Sequence, residues 1–162
     1  MHPRSISPMG SKRGKKYVPG ILVIIGCSKR KKRTARSVSA IKLYQGTTFK
    51  YGVRFCRKYH LRFLVLSGKY GLIFPRRKIT YYNHKIRPNN ASGIIPSIQR
   101  TLENSINSHP IHTILVLAGS VYISTIIPVI QKKPHLRIFG VPAPKGIFGL
   151  RKNVMEVIFT AL

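Results

Sequence analysis

The sequence predicts an α/β fold, with a mostly parallel sheet of about four strands, helices on both faces and a basic N-terminal arm. Three observations predict it. Short apolar runs, Ile21 to Ile25, Leu61 to Leu66 and Ile114 to Ala118, alternate with segments of helical periodicity. Each run gives way to a small residue and a polar loop, as expected of a strand covered on both faces that feeds a crossover connection. Finally, 162 residues with 43% apolar composition can bury roughly two thirds of the unfolded surface in one core, even at a net charge of +28.

In chain order, residues 1–20 contain Arg, Lys and Ser but no apolar stretch, which rules out a secretory signal. A flexible basic arm that lies along phosphates is the preferred reading, and a transit-peptide remnant is the other. Residues 21–162 form a single α/β domain, beginning after the Pro19-Gly20 break. The first strand, Ile21 to Ile25, is bounded by Gly26, and Cys27 to Ser39 is a loop. Gly46-Thr47-Thr48 starts a helix, with a Thr hydroxyl available as cap. Phe49, Val53, Cys56 and Tyr59 recur at helical spacing, which puts Cys56 on the buried face and Lys50, Arg54, Arg57 and Lys58 on the polar one. The second strand ends in the loop Ser67-Gly68-Lys69-Tyr70-Gly71. A basic, aromatic connection runs from Phe74 to Asn90, with a short strand over Lys78 to Tyr82.

Ile95, Ile98, Leu102 and Ile106 mark the next helix, which ends before His109-Pro110. The third strand, Ile114 to Ala118, leads through Gly119-Ser120 into a helix from Val121 to Gln131 that contains Pro128. Leu136 to Phe139 is the fourth strand, Gly140 to Gly149 a loop, and Leu150, Val154, Val157, Ile158 and Ala161 trace a final amphipathic helix. Ligands of such sheets bind beyond the C-terminal strand ends. That edge gathers the loops Cys27 to Arg36, Ser67 to Gly71, Gly119-Ser120 and Gly140 to Gly149 on one rim.

The charge balance narrows the function most. Thirty Lys and Arg face two acids, Glu103 and Glu156, and there is no Asp. A chain so far from neutrality repels itself unless a polyanion binds it, and nucleic acid is the polyanion that rewards many basic contacts. Apolar runs are too short to span a bilayer, and no basic amphipathic helix or lipidation signal indicates a membrane partner. Cys27 and Cys56 lack metal-ligand spacing and read as two reduced thiols, with a disulfide as the less common alternative. The near absence of carboxylates leaves little for general acid or base work or for holding Mg²⁺, so no metal or cofactor is expected.

Candidate nucleic-acid contacts are therefore the cations of the arm, Lys12, Arg13, Lys15 and Lys16, and those of the first rim loop, Lys29, Arg30, Lys31, Lys32, Arg33 and Arg36. Six of the eight residues from Lys29 to Arg36 are Lys or Arg. Lys69, Arg76, Arg77, Lys78, His84, Lys85 and Arg87 extend the set, and Tyr82 stands among cations as a ring able to stack on a base. Cys27 ends a strand, where a nucleophile with a nearby His84 or His60 as base could sit, although a small buried thiol is the commoner role.

Several short motifs occur in order: Ile25-Gly26-Cys27-Ser28 with Lys31, Tyr44-Gln45-Gly46 with Phe49, Leu66-Ser67-Gly68-Lys69-Tyr70-Gly71-Leu72 with Pro75, and Gly146 with Gly149. Together they resemble a family of small uncharacterised α/β proteins akin to the core domain of archaeosine synthase and to the uracil-DNA-glycosylase-like fold. The resemblance covers most of residues 21–162. It implies a three-layer, Rossmann-like domain whose rim handles a nucleobase or nucleoside. This chain departs from the pattern by carrying Arg76-Arg77 and Tyr82-Asn83 where the family has acidic residues.

The leading expectation is a non-catalytic RNA-binding protein, a component of a cytoplasmic or mitochondrial ribosome or another large ribonucleoprotein, with rRNA and the complex's other proteins as partners. The alternatives are a nucleobase- or nucleoside-modifying enzyme using Cys27, Ser28 and Lys69, and a phage or plasmid DNA-binding protein.

Overall fold

In the computed structural model, which describes Gly14 and residues 16–142, three parallel strands form the centre of the sheet. They are β1 (Ile21–Gly26), β3 (Arg62–Ser67) and β6 (Thr113–Ala118), and β1 lies between the other two. Leu22 to Gly26 pair with Arg62 to Leu66 on one side, and Ile21 to Ile25 with Thr113 to Leu117 on the other. β7 (Arg137–Pro142) extends the sheet in parallel beyond β6. β4 (Gly71–Ile73) closes the opposite edge antiparallel to β3, giving five strands rather than about four. The expected sheet lacked β4 because a three-residue return strand is too short to show a period of two.

A second, two-stranded sheet pairs β2 (Val38–Ser39) with β5 (Lys78–Ile79). It corrects two expectations, since the loop after β1 ends at Ser37 and the strand at Lys78 stops at Ile79. It also leads directly into α1 (Ala40–Leu43), a single turn with no counterpart in the sequence reading.

Apolar residues alternate along the central strands and separate two cores. Ile21, Val23 and Ile25 pack with Phe49, Val53 and Cys56 of α2 (Thr47–Lys58), whereas Leu22 and Ile24 pack on the opposite face. There they meet Ile98 and Leu102 of α3 (Ile95–Ser108) and Ile126 and Ile130 of α4 (Ser120–Gln131). Helices thus cover both faces, and Cys56 is buried as its spacing requires. The cap position before α2 is Gly46, which offers no side chain, so no Thr hydroxyl caps the helix as expected. α4 contains Pro128 and still runs to Gln131. Among the described residues no helix is long and apolar enough to cross a membrane. The final helix expected around residues 150–161 and most of the arm lie outside the described residues.

Candidate nucleic-acid interface

Because β1, β3 and β6 are parallel, their C-terminal ends at Gly26, Ser67 and Ala118 share one edge, and the loops beyond them meet. Cys27 Sγ lies 3.0 Å from the Tyr122 hydroxyl on α4, and the Tyr82 hydroxyl approaches the same sulfur at 3.9 Å. The loop after β7 lies outside the described residues beyond Pro142.

Beneath this edge three hydroxyls close a ring. Tyr44 donates to Ser67 Oγ at 2.9 Å, Ser67 and Tyr82 are 3.0 Å apart, and Tyr82 and Tyr44 are 2.7 Å apart. Ser67 Oγ also accepts the backbone N–H groups of Lys69 at 3.3 Å and Tyr70 at 3.1 Å, which shapes the Ser67 to Gly71 turn. All three side chains are buried. Tyr82 therefore belongs to the core and does not offer a ring face to a base, which corrects the stacking expectation. Its face is occupied from above by Lys31, whose Nζ lies 4.5 Å from the ring centroid, with Lys69 at 5.7 Å. Tyr81 is the exposed neighbour.

The first rim loop is fixed by short polar bonds. Ser28 Oγ donates to the Arg30 carbonyl at 2.8 Å and accepts the Gly46 N–H at 2.9 Å. Gln45 N–H binds the Arg30 carbonyl, and Lys32 N–H binds the Leu43 carbonyl. Ser28 is thus a loop staple, and a side chain at Gly46 would collide with it. With the backbone held down, Lys29, Arg30, Lys32, Arg33 and Arg36 are exposed, while Lys31 is half-buried over Tyr82. Burial lowers the Lys31 pKa below the ordinary lysine range, against an opposing pull from the negative form of Cys27.

Cys27, Lys31, His84, Lys85, Ser120 and Tyr122 border a cavity of about 360 Å³, within the size range of small-ligand sites. The first turn of α4 lines it and carries no side-chain cap. His60, the other histidine considered beside Cys27, lies at the opposite end of the sheet, where its carbonyl accepts Val18 N–H ahead of β3. Lys69, Lys85 and Arg87 are exposed around the rim, whereas Arg76, Arg77 and Lys78 lie on the flank beyond β4. Lys16 is exposed, and Lys12, Arg13 and Lys15 lie outside the described residues. The single ion pair among the described residues joins Lys133 to Glu103 at 3.5 Å, so none of these rim cations is neutralised by a carboxylate there.

Residues 22–140 match a family of unknown function, DUF6884. The chain belongs to that family. The DUF6884 match runs from β1 into β7 and so contains every described element that builds the rim. No curated protein and no solved structure matches the chain.

Sequence reasoning missed Tyr44 and Tyr122 as site residues. Tyr44 stands in the Tyr44-Gln45-Gly46 motif, but Tyr122 has the appearance of one apolar position in an apolar helix. Gly68 is the signal for Tyr122, since a Cβ there would lie 2.8 Å from the Tyr122 hydroxyl. Gly68→Ala is therefore expected to displace Tyr122 from Cys27. In the native DUF6884 domain iodoacetamide should label the half-exposed Cys27, while Cys56 should react only after unfolding, since burial also raises its pKa. Peptide mass spectrometry reads both sites. Faster Cys27 labelling in Gly68→Ala supports the Tyr122 contact, and equal labelling of both cysteines in the native protein contradicts the described burial.

The tyrosine cluster also sets an alkaline limit. Burial, followed by the nearby Cys27, raises the pKa values of Tyr44, Tyr82 and Tyr122 above the ordinary tyrosine value of about 10. The folded state then holds protons that the unfolded state releases above about pH 10. This contribution to stability is complete below that pH and is lost as pH rises past it. The late part of the near-ultraviolet phenolate titration should coincide with loss of far-ultraviolet circular dichroism. A complete phenolate spectrum in a still-folded protein would contradict the assignment.

Proposed function

We propose that the protein binds RNA through this rim and serves as a non-catalytic structural component of a ribosome, cytoplasmic or mitochondrial, or of another large ribonucleoprotein. The carrying observation is the group of exposed cations Lys29, Arg30, Lys32, Arg33 and Arg36, pinned at the C-terminal sheet edge with no described carboxylate to neutralise it. Lys69, Lys85 and Arg87 extend the same charge, and the N-terminal cations Lys12, Arg13, Lys15 and Lys16 add further candidates for phosphate contact. The sheet edge reads as that of a Rossmann-like fold for handling bases, here turned to gripping backbone. Charge spread over a whole chain suits a protein enclosed by folded RNA, which meets phosphate from several sides.

Sedimentation of a cell extract at low salt tests this reading. The protein should travel with large particles and shift to slow fractions after RNase. Slow migration without an RNase effect would overturn it, and co-purified DNA would transfer the reading to a DNA-binding protein.

A second reading, nucleobase or nucleoside modification, draws on the 360 Å³ cavity where Cys27 lies beside the half-buried Lys31 amine. Nucleoside mass spectrometry of RNA and DNA from cells with and without the gene decides it. An unchanged profile removes its support.

A further inference from the structure

A groove larger than the rim cavity lies away from the rim, along an incomplete sheet edge. β4 pairs only with Val65, Leu66 and Ser67 of β3. After Ile73 the chain leaves the sheet at Phe74-Pro75, where Arg77 N–H turns back to the Phe74 carbonyl at 3.0 Å. The Pro75 and Arg77 carbonyls are then held by the N–H groups of Ile41 and Ala40 at 3.2 and 2.9 Å. Arg62, Phe63 and Leu64 are consequently paired to β1 on one side and have no strand partner on the other among the described residues.

A groove of about 780 Å³ follows this open edge, between α2 on one face of the sheet and the C-terminal half of α3 on the other. Arg57, Arg62 and Arg76 line it, no acid does among the described residues, and Phe74 at its border is 55% exposed.

We propose that this edge receives an extended acidic segment of a partner protein, added antiparallel to Arg62–Leu64 as a continuation of β4. A strand edge presents N–H and C=O groups at the spacing of another peptide main chain, which a sugar-phosphate backbone does not reproduce. Charge complementarity sets the side chains. Three arginines with no acid favour Glu or Asp on the added strand, and the exposed Phe74 with Phe63 favours apolar residues between them. The Lys29 to Arg36 loop at the rim has the opposite character, being cationic loop without a pairing edge.

The test uses the full-length ¹⁵N-labelled protein and three synthetic hexapeptides. One alternates glutamate and valine, the second is the same peptide N-methylated at alternate residues, and the third has lysine in place of glutamate. The glutamate peptide should shift the amide resonances of Arg62, Phe63 and Leu64 and slow hydrogen exchange at Phe63, whose main-chain N–H faces the open edge while those of Arg62 and Leu64 face β1. N-methylation, which removes main-chain donors without changing charge, should weaken binding by about tenfold or more, and the lysine peptide should not bind. Decauridylate should shift the 29–36 loop instead.

Equal binding of the N-methylated peptide would overturn the proposal, because charge alone would then explain the association. It would also fail if decauridylate shifted the Arg62 to Leu64 amides, which would make the groove a nucleic-acid surface. A Phe63 amide already protected from exchange in the free protein would equally overturn it. An RNA result confined to the loop, with no peptide bound, would sink this proposal and leave the proposed RNA function standing.

Discussion

Replacing Lys29, Arg30, Lys32 and Arg33 together by alanine is expected to weaken RNA binding by roughly three orders of magnitude near 0.1 M salt. All four are exposed and none has a carboxylate partner among the described residues, so the fold does not depend on them. Each phosphate neutralised on a duplex contributes about 0.9 to the slope of log affinity against log salt. If all four contact phosphate, the slope should become shallower by about 3.6.

The same substitution lowers the net charge from +28 to +24, since four cations are removed. Less self-repulsion should raise the thermal midpoint of the free protein. Affinity and stability are thus expected to move in opposite directions. Salt-titrated binding and a thermal melt measure the two. An unchanged salt slope would show that the loop does not touch phosphate.

The second large effect is on stability. Ser67→Ala removes the atom that two tyrosine hydroxyls and two backbone N–H groups share, and should destabilise the fold by about 3 kcal/mol. Tyr44→Phe leaves Ser67 and Tyr82 bonded to each other and should cost only about 1 kcal/mol. Against a typical domain stability of about 5–15 kcal/mol the first loss is severe. Chemical denaturation of both variants checks the order. Equal losses would mean that the ring does not act as a unit.

Much of the fold was legible because its strands are buried on both faces. Ile21 to Ile25 and Ile114 to Ala118 are continuous apolar runs, and Phe49, Val53 and Cys56 follow a helical period onto one face. What escaped was short or decided by distant contacts. Gly71 to Ile73 resembled the tail of a glycine loop and became a strand because Val65 to Ser67 offered an edge. The two-residue strands and α1 fall below any measurable period.

At the site, sequence position placed Cys27, Ser28 and Lys31 on the rim but not their tasks. Ser28 had the appearance of a free hydroxyl and is committed to Arg30 and Gly46. Tyr82 lies among charged neighbours, which suggests a surface ring. It is buried because Tyr44 and Ser67, 38 and 15 residues away, supply hydroxyl partners in the core. Local composition carries no record of such partners.

That Lys133 and Glu103 form the one ion pair among the described residues bears on how the protein is kept in a cell. A surface with almost no attractive charge pairs is strengthened, rather than weakened, when counterions crowd around it. If the protein binds a polyanion as proposed, copies without it are the least stable, and proteolysis would remove such copies first. Abundance would then follow the supply of ligand, so that a stoichiometric match is kept by turnover instead of by transcription.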